Sequence, residues 1–214
     1  MNFIRGGELF THLNKVRWFP EYRAKFYAAQ IITAIGYLHK KHIIYRDIKP
    51  ENILMGEDGY LFLADFGLAK EMSGVDMATS FCGTPEYLAP EIVKNVGHNH
   101  AVDWWAIGIL IYEMIVGFPP FYHKNQSTMY ELIEKFPVKF PDPEKHKILM
   151  SEEVKDLLTK LLMKDPKERL GTNGEVEEIM AHPWFADIDF NALLRKELEP
   201  PFIPELSDDL SDVS

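Results

Sequence analysis

Tyr45-Arg46-Asp47-Ile48-Lys49-Pro50-Glu51-Asn52, with Asp65-Phe66-Gly67 and then Ala89-Pro90-Glu91 downstream, is the stretch on which the reading of this chain turns. It sets a carboxylate, an ammonium group and a carboxamide close together, around a proline that stiffens the backbone. A second carboxylate, Asp65, follows a segment patterned as a hairpin: Ile53-Leu54-Met55 and Tyr60-Leu61-Phe62-Leu63 flank the turn Gly56-Glu57-Asp58-Gly59. The charged groups therefore stand before and after a turn that folds the chain back on itself. Any one of these acids alone reads as a solvated loop charge. Three motifs in this order and spacing do not.

Composition sets the bounds. The 214 residues, 46% hydrophobic and 13% aromatic, can bury a substantial core as one lobe plus a tail, which excludes a disordered or fibrous chain. A net charge of -10 argues against nucleic acid as the main partner and suits basic substrates instead. The single cysteine, Cys82, excludes an internal disulfide framework, fits a reducing compartment and reads as an ordinary small residue. Residues 104–121 alone are apolar enough to raise a membrane span. Asp103 borders them, Glu113 interrupts them and Pro119-Pro120 end them, so a helix buried in a globular domain is expected. No basic segment followed by an apolar core suggests secretion, and a cytoplasmic location is expected, with the nucleus also open.

Apolar spacing places the elements. Residues 23–42 carry Phe26, Tyr27, Ile31, Ala34, Ile35 and Leu38 at intervals of three and four, a long amphipathic helix preceded by Pro20. Residues 69–90 lack a sustained period and read as a functional loop. Helices follow at 102–116, 127–135 and 152–163, with a last one over 174–182. From about residue 186, prolines and then aspartates among serines give an extended, partly disordered tail. No internal repeat is present.

The grouped side chains suit phosphoryl transfer, which needs an aligned hydroxyl and neutralised phosphate charge more than covalent work from the protein. Asp47 can orient the hydroxyl and accept its proton, and Lys49 can set a compact positive charge against the moving phosphate. Asn52 and Asp65 offer hard oxygens of the kind magnesium prefers beside phosphates. A metal-dependent hydrolase built on Asp47 and Asp65 leaves Ala89-Pro90-Glu91 without a purpose. His98-x-His100 invites a metal reading, but without a third ligand a solvated loop is expected there.

Further motifs join the first three: Tyr45 at the head of the loop, Phe81-Cys82-Gly83-Thr84-Pro85-Glu86-Tyr87-Leu88 before Ala89, and Val102-Asp103-Trp104-Trp105. Gly117-Phe118-Pro119-Pro120-Phe121-Tyr122, Lys164-Asp165-Pro166, Arg169-Leu170-Gly171 and Pro201-Phe202-Ile203-Pro204 complete the set. In these the chain resembles, over essentially its whole length, the AGC group of eukaryotic serine/threonine protein kinases, similar alike to cyclic-AMP-dependent, Akt-like and serum-regulated members. The resemblance implies a fold that is mainly α with a short β-hairpin, the large C-terminal lobe of a protein kinase. It assigns residues 1–185 to the hinge and lobe and 186–214 to a partial C-terminal tail.

The resemblance also carries roles onto particular residues. Asp47 and Lys49 are catalytic, Asn52 and Asp65 hold Mg2+, and the cofactor is ATP. Met1 matches the gatekeeper, Asn2 to Ile4 the adenine-binding hinge, Glu8 a ribose contact and Leu54 the floor beneath the base, with Leu110 and Met114 in the apolar stack below. Lys49 implies a serine or threonine acceptor, and Thr84 a bond near Asp47. Ser80, with Thr79 and Ser73 as neighbours, matches the activation-loop phosphorylation site, whose phosphate Arg46 could bind. Glu8, Glu51 and Glu113 match acids that hold substrate arginines. Glu91 is expected to pair with Arg169, and Asp103 to hold the backbone of the catalytic loop. The partners implied are protein substrates with basic residues near the acceptor and an upstream activating kinase.

Two features limit what is implied. No Gly-x-Gly-x-x-Gly loop and no strand lysine of the Val-Ala-Ile-Lys type precede the catalytic loop, and no Phe-x-x-Phe motif follows the tail. The expectation is a kinase lobe cut at both ends, and the alternative is a noncatalytic lobe that binds substrates or regulators. Ser207, Ser211 and Ser214, among acids, are expected to lie in the solvated tail.

Overall fold

A computed structural model describes residues 4–72 and 82–205. Nine α-helices and two small antiparallel sheets follow one another among these residues. The helices are α1 (Leu9–Val16), α2 (Glu21–Lys40), α3 (Pro90–Val93), α4 (Ala101–Val116), α5 (Gln126–Lys135), α6 (Pro143–His146), α7 (Glu152–Leu161), α8 (Glu175–Met180) and α9 (Phe190–Leu194). The strands are β1 (Ile43–Ile44), β2 (Ile53–Met55), β3 (Leu61–Leu63) and β4 (Lys70–Glu71). β2 pairs with β3, and β1 with β4.

Helix α4 is the axis of the lobe. Fifteen of its sixteen residues are buried, including Trp104 and Trp105, and α2 and α7 pack against it. A helix apolar all round must be enclosed, and each fully buried large side chain here contributes about 1.5–3 kcal/mol. The helix stops at Gly117, whose φ of 94° lets its N–H reach Glu113 O at 2.7 Å; a Cβ there would meet Arg17 O at 2.6 Å. Among the described residues no helix is long and apolar enough to cross a membrane.

Helices α2 and α7 show how pattern becomes packing. Along α7, Val154, Leu157, Leu158 and Leu161 form the buried stripe, and Ser151 caps the start by accepting from Val154 N. Glu21 at the head of α2 reaches across to Ser151 N at 2.8 Å and to the indole N–H of Trp184 at 2.8 Å, so the two helix starts and the Pro183–Phe185 turn are locked together.

The structure departs from the sequence reading in three places. Residues 186–205 are not a loose tail: α9 is capped by Asp189, and the Tyr60 hydroxyl donates to Leu198 O at 2.7 Å. The Arg23 guanidinium lies over the Phe202 ring at 4.1 Å, and the backbone passes so close to Gly59 (φ 78°) that a Cβ there would fall 2.4 Å from Phe202 O. Proline-rich composition hid these anchors because each contact is far away in sequence. Helix α1 went unread because it is short, though Leu9 and Leu13 one turn apart are its buried face. His98 and His100 are not solvated: His98 is 2% exposed, and the ring of His100 stands 5.3 Å from that of His39.

Lys164 is a buried cation with an aromatic lining. Its Nζ lies 3.9 Å from the Phe121 ring centre and 4.8 Å from that of Trp105, and it has no hydrogen-bond partner among the described residues. Burial, then the charges of Arg169 and Lys94, lower its pKa to about 7. The unfolded chain therefore binds more protons between about pH 7 and the ordinary lysine range, and the cost of this buried charge is greatest below that window. Lys164→Met is expected to raise the melting temperature by several degrees at pH 6, with the margin shrinking steadily as pH rises toward 10. Calorimetric melts across that range check it.

Candidate active site

The hairpin register brings the site together. Ile53 pairs with Leu63, and one step outward Ala64 N donates to Asn52 O at 2.9 Å. Asn52 and Asp65 thus flank the open end of the hairpin, as the sequence suggested by placing them on either side of its turn. Asp65 is exposed and has a φ of 50°, and its Oδ1 accepts from Gly67 N at 3.0 Å. Arg46 also has a positive φ, 68°. Non-glycine residues held there carry local strain, which the surrounding contacts must offset.

Those contacts run through Asp103 at the start of α4. It is fully buried, and its carboxylate accepts from Tyr45 N at 2.9 Å and Arg46 N at 2.8 Å, with His39 Nε2 2.7 Å away. The Tyr45 hydroxyl donates to Ala64 O, and its ring meets Phe66 edge-on at 5.3 Å. Burial, reinforced by Asp47, Asp65 and Asp103, raises the Tyr45 pKa, so the phenol stays a donor. The core helix thereby fixes the backbone immediately before Asp47.

Asp47 lies at the centre of the polar group. Asn52 Nδ2 donates to its backbone oxygen at 2.9 Å and to Oδ2 at 2.6 Å, and Lys49 Nζ stands 3.2 Å from the same Oδ2. Lys49 Nζ also donates to Thr84 Oγ1 at 3.2 Å, so Thr84 reaches the site through Lys49. With its NH2 spent on Asp47, Asn52 has its amide oxygen left to meet a cation, and Asp65 brings a carboxylate to the same end of the hairpin. One amide and one carboxylate fit magnesium, which keeps several oxygens from water or phosphate. Among the described residues no three His, Cys, Asp or Glu gather to hold a metal by themselves.

Residues 6–8 lie along β2. Met55 N donates to Gly7 O at 2.8 Å, and Glu8 bridges to Leu54, so Glu8 and Leu54 stand together, while Ile4, half-buried, precedes them in the chain. Ile53 and Met55 are buried while Leu54, on the opposite face of the strand, is half-buried. Leu110 and Met114 lie within the core of α4. Met1, Asn2 and Ser80, with Ser73 and Thr79, lie outside the described residues, as do Ser207, Ser211 and Ser214.

Of the three candidate arginine readers, Glu8 and Glu51 are exposed and Glu113 is half-buried, accepting from the Tyr87 hydroxyl. Burial raises the Glu113 pKa, and Glu51 and Glu86 raise it further. Glu51, Glu86 and Glu113 therefore share one field, and Glu86 is a member that sequence reasoning missed. Its signal was its place beside Pro85 in a turn packed on α4. Arg169 meets Glu91 through two bonds, Nη1 to Oε1 at 2.7 Å and Nη2 to Oε2 at 2.9 Å, deep in the lobe. Cys82 is free and half-buried.

A family model described as "Protein kinase domain" matches residues 1–185. The chain belongs to the protein kinase family. It is 48% identical to the serine/threonine-protein kinase sgk-1 of Caenorhabditis elegans, covering 100% of this chain and 46% of the relative. It is also 48% identical to the RAC serine/threonine-protein kinase of Drosophila melanogaster, covering 98% and 34%. Against the mouse cAMP-dependent protein kinase catalytic subunit PRKX the identity is 46%, over 100% and 58%. These are AGC-type serine/threonine kinases, which places the chain in that group. The chain thus spans between a third and just over half the length of these relatives.

Proposed function

We propose that this chain is the large lobe of an ATP- and magnesium-dependent serine/threonine protein kinase that acts on substrates with arginine near the acceptor. The observation that carries the reading is the hydrogen-bonded set Asp47, Lys49, Asn52 and Thr84, with Asp65 at the mouth of the same hairpin. Asp47, oriented by Asn52, accepts the proton of the substrate hydroxyl, while Lys49 steadies negative charge beside it. Thr84, bonded to Lys49, favours a serine or threonine acceptor. Magnesium, when bound through Asn52 and Asp65, supplies charge neutralisation for the ATP phosphates.

Ile4, Glu8 and Leu54, with Asn2, form the nucleotide side, and Glu8, Glu51 and Glu113 the arginine side. Arg46 holds the phosphate on Ser80 that activates the loop. Glu91, Arg169 and Asp103 hold the frame, and residues 186–214 are the start of the C-terminal tail. A cytoplasmic setting suits this substrate class.

Glu51 gives the test of the substrate reading, because it is exposed and its replacement leaves the core untouched. Glu51→Gln is expected to raise KM about tenfold for a serine peptide with an upstream arginine, since hydrogen bonds to a charged group contribute about 1.5–3 kcal/mol. The same peptide with alanine in place of arginine should show no change. Equal KM values for the two peptides with the unaltered protein would remove the arginine assignment.

A further inference from the structure

Where the end of α2 meets the start of α4, four buried polar atoms have no partner among the described residues: His39 Nδ1, His100 Nε2, Trp104 Nε1 and Thr172 Oγ1. They belong to one neighbourhood. The His39 ring stands edge-on, 5.3 Å from that of His100 and 4.7 Å from that of Trp104. Thr172 joins them through the backbone: it hydrogen-bonds the His100 ring, and a Cβ on the preceding Gly171 would fall 2.9 Å from Trp104 Nε1. Buried polar atoms are nearly always paired, so four left over in one place call for an occupant.

The two histidines decide its chemistry. His39, its side chain 6% exposed, sets Nε2 2.7 Å from Asp103 Oδ2. A carboxylate only accepts, so the proton of the neutral ring sits on Nε2 and Nδ1 keeps a lone pair. His100 is held neutral too: burial lowers its pKa first and His39 lowers it further, against the Thr172 backbone, Glu175 and Asp103. Two buried imidazole nitrogens suit a transition metal, whereas magnesium prefers oxygen. The spacing agrees, since two imidazoles at about 2.0–2.1 Å from one zinc ion put their ring centres about 5 Å apart at a tetrahedral angle. A carboxylate behind the far ring nitrogen, as Asp103 stands behind His39, is the usual support of a metal-binding histidine.

We propose that His39 Nδ1 and His100 Nε2 bind a divalent transition-metal ion of the zinc class, with water at the remaining positions. The sequence paired His100 with His98; the fold pairs it with His39 from the end of α2. Polarised by the ion at Nδ1, His39 Nε2–H becomes a stronger donor to Asp103, the carboxylate that holds Tyr45 N and Arg46 N. The ion therefore clamps the frame of the catalytic loop and takes no part in the transfer itself.

The experiment titrates zinc chloride into the full chain, without ATP or magnesium, and follows the histidine ring nitrogens by long-range proton–nitrogen NMR. One equivalent is expected to move Nδ1 of one histidine and Nε2 of another, the second assigned by its loss in His100→Ala. The melting temperature should rise by several degrees with zinc and stay unchanged with magnesium at the same concentration. His100→Ala should weaken zinc binding about a hundredfold, at least the loss that an outer-shell partner can cause. If His100→Ala does not fold, His100→Gln serves the same comparison, and anomalous scattering at the zinc edge from crystals of the unaltered chain locates the ion directly. An ion away from the two rings, or zinc shifts confined to other histidines, would overturn the proposal. So would unmoved His39 and His100 nitrogens at about ten equivalents, which would leave the cluster to a buried water.

Discussion

Asp47→Asn is expected to lower phosphoryl transfer to a serine peptide by about 10²–10⁴-fold, the usual contribution of a positioned general base, with KM for the peptide nearly unchanged. The substitution keeps size and shape. Asn52 Nδ2 still has the backbone oxygen of residue 47 to bond, at 2.9 Å, so the loop keeps one of its two ties. What is lost is the carboxylate that Asn52 and Lys49 aim. A melting temperature close to that of the parent, together with the fall in kcat, would separate chemistry from folding. Turnover within twofold of the parent would show that Asp47 does not take the proton.

The second large effect falls on stability. Glu91→Gln leaves the Arg169 guanidinium buried beside a neutral amide, which keeps one acceptor oxygen where the carboxylate had two, besides Met163 O and Ala101 O. Breaking one side of a buried pair costs about 3–5 kcal/mol, because the surviving charge has no counterion and no water. In a chain of this size that corresponds to a loss of roughly 6–20 °C in melting temperature. Pairing Glu91→Gln with Arg169→Met should recover much of the loss, since the destabilisation comes from the stranded charge. If the double variant melts below the single one, the bidentate pair is stabilising in itself beyond cancelling its own burial.

Legibility in the sequence followed the range of the interactions. Helices α2, α4 and α7 announce themselves because their apolar spacing is local and long enough to average over exceptions. The membrane reading of α4 failed for the right physical reason: Asp103 and Glu113 carry charge into it, and both meet partners inside the protein. Strands β1 and β4 are two residues each and leave no period to detect. The tail was misjudged because its composition is that of a linker, while its order comes from Tyr60, Arg23 and Gly59, all more than a hundred residues earlier.

The site divides in the same way. Asp47, Lys49, Asn52 and Asp65 could be picked out because they sit in compact motifs, and a hairpin between them has only one way to return. Glu86 and His98 could not, because nothing near them in sequence states that Glu86 acts on Glu113 or that His98 is buried. His98 is the clearest case: beside His100 it looked like a loop histidine. Only burial and a ring nitrogen without a partner among the described residues distinguish it.

The central claim is that this lobe carries the base of a serine/threonine phosphoryl-transfer site. Its most direct test gives γ-labelled ATP, magnesium and an arginine-containing serine peptide to the longest polypeptide that the transcript encodes, and to its Asp47→Asn variant. The account predicts label on the peptide serine with the parent and almost none with the variant. An unlabelled peptide with the parent, or equal labelling by both, would contradict it.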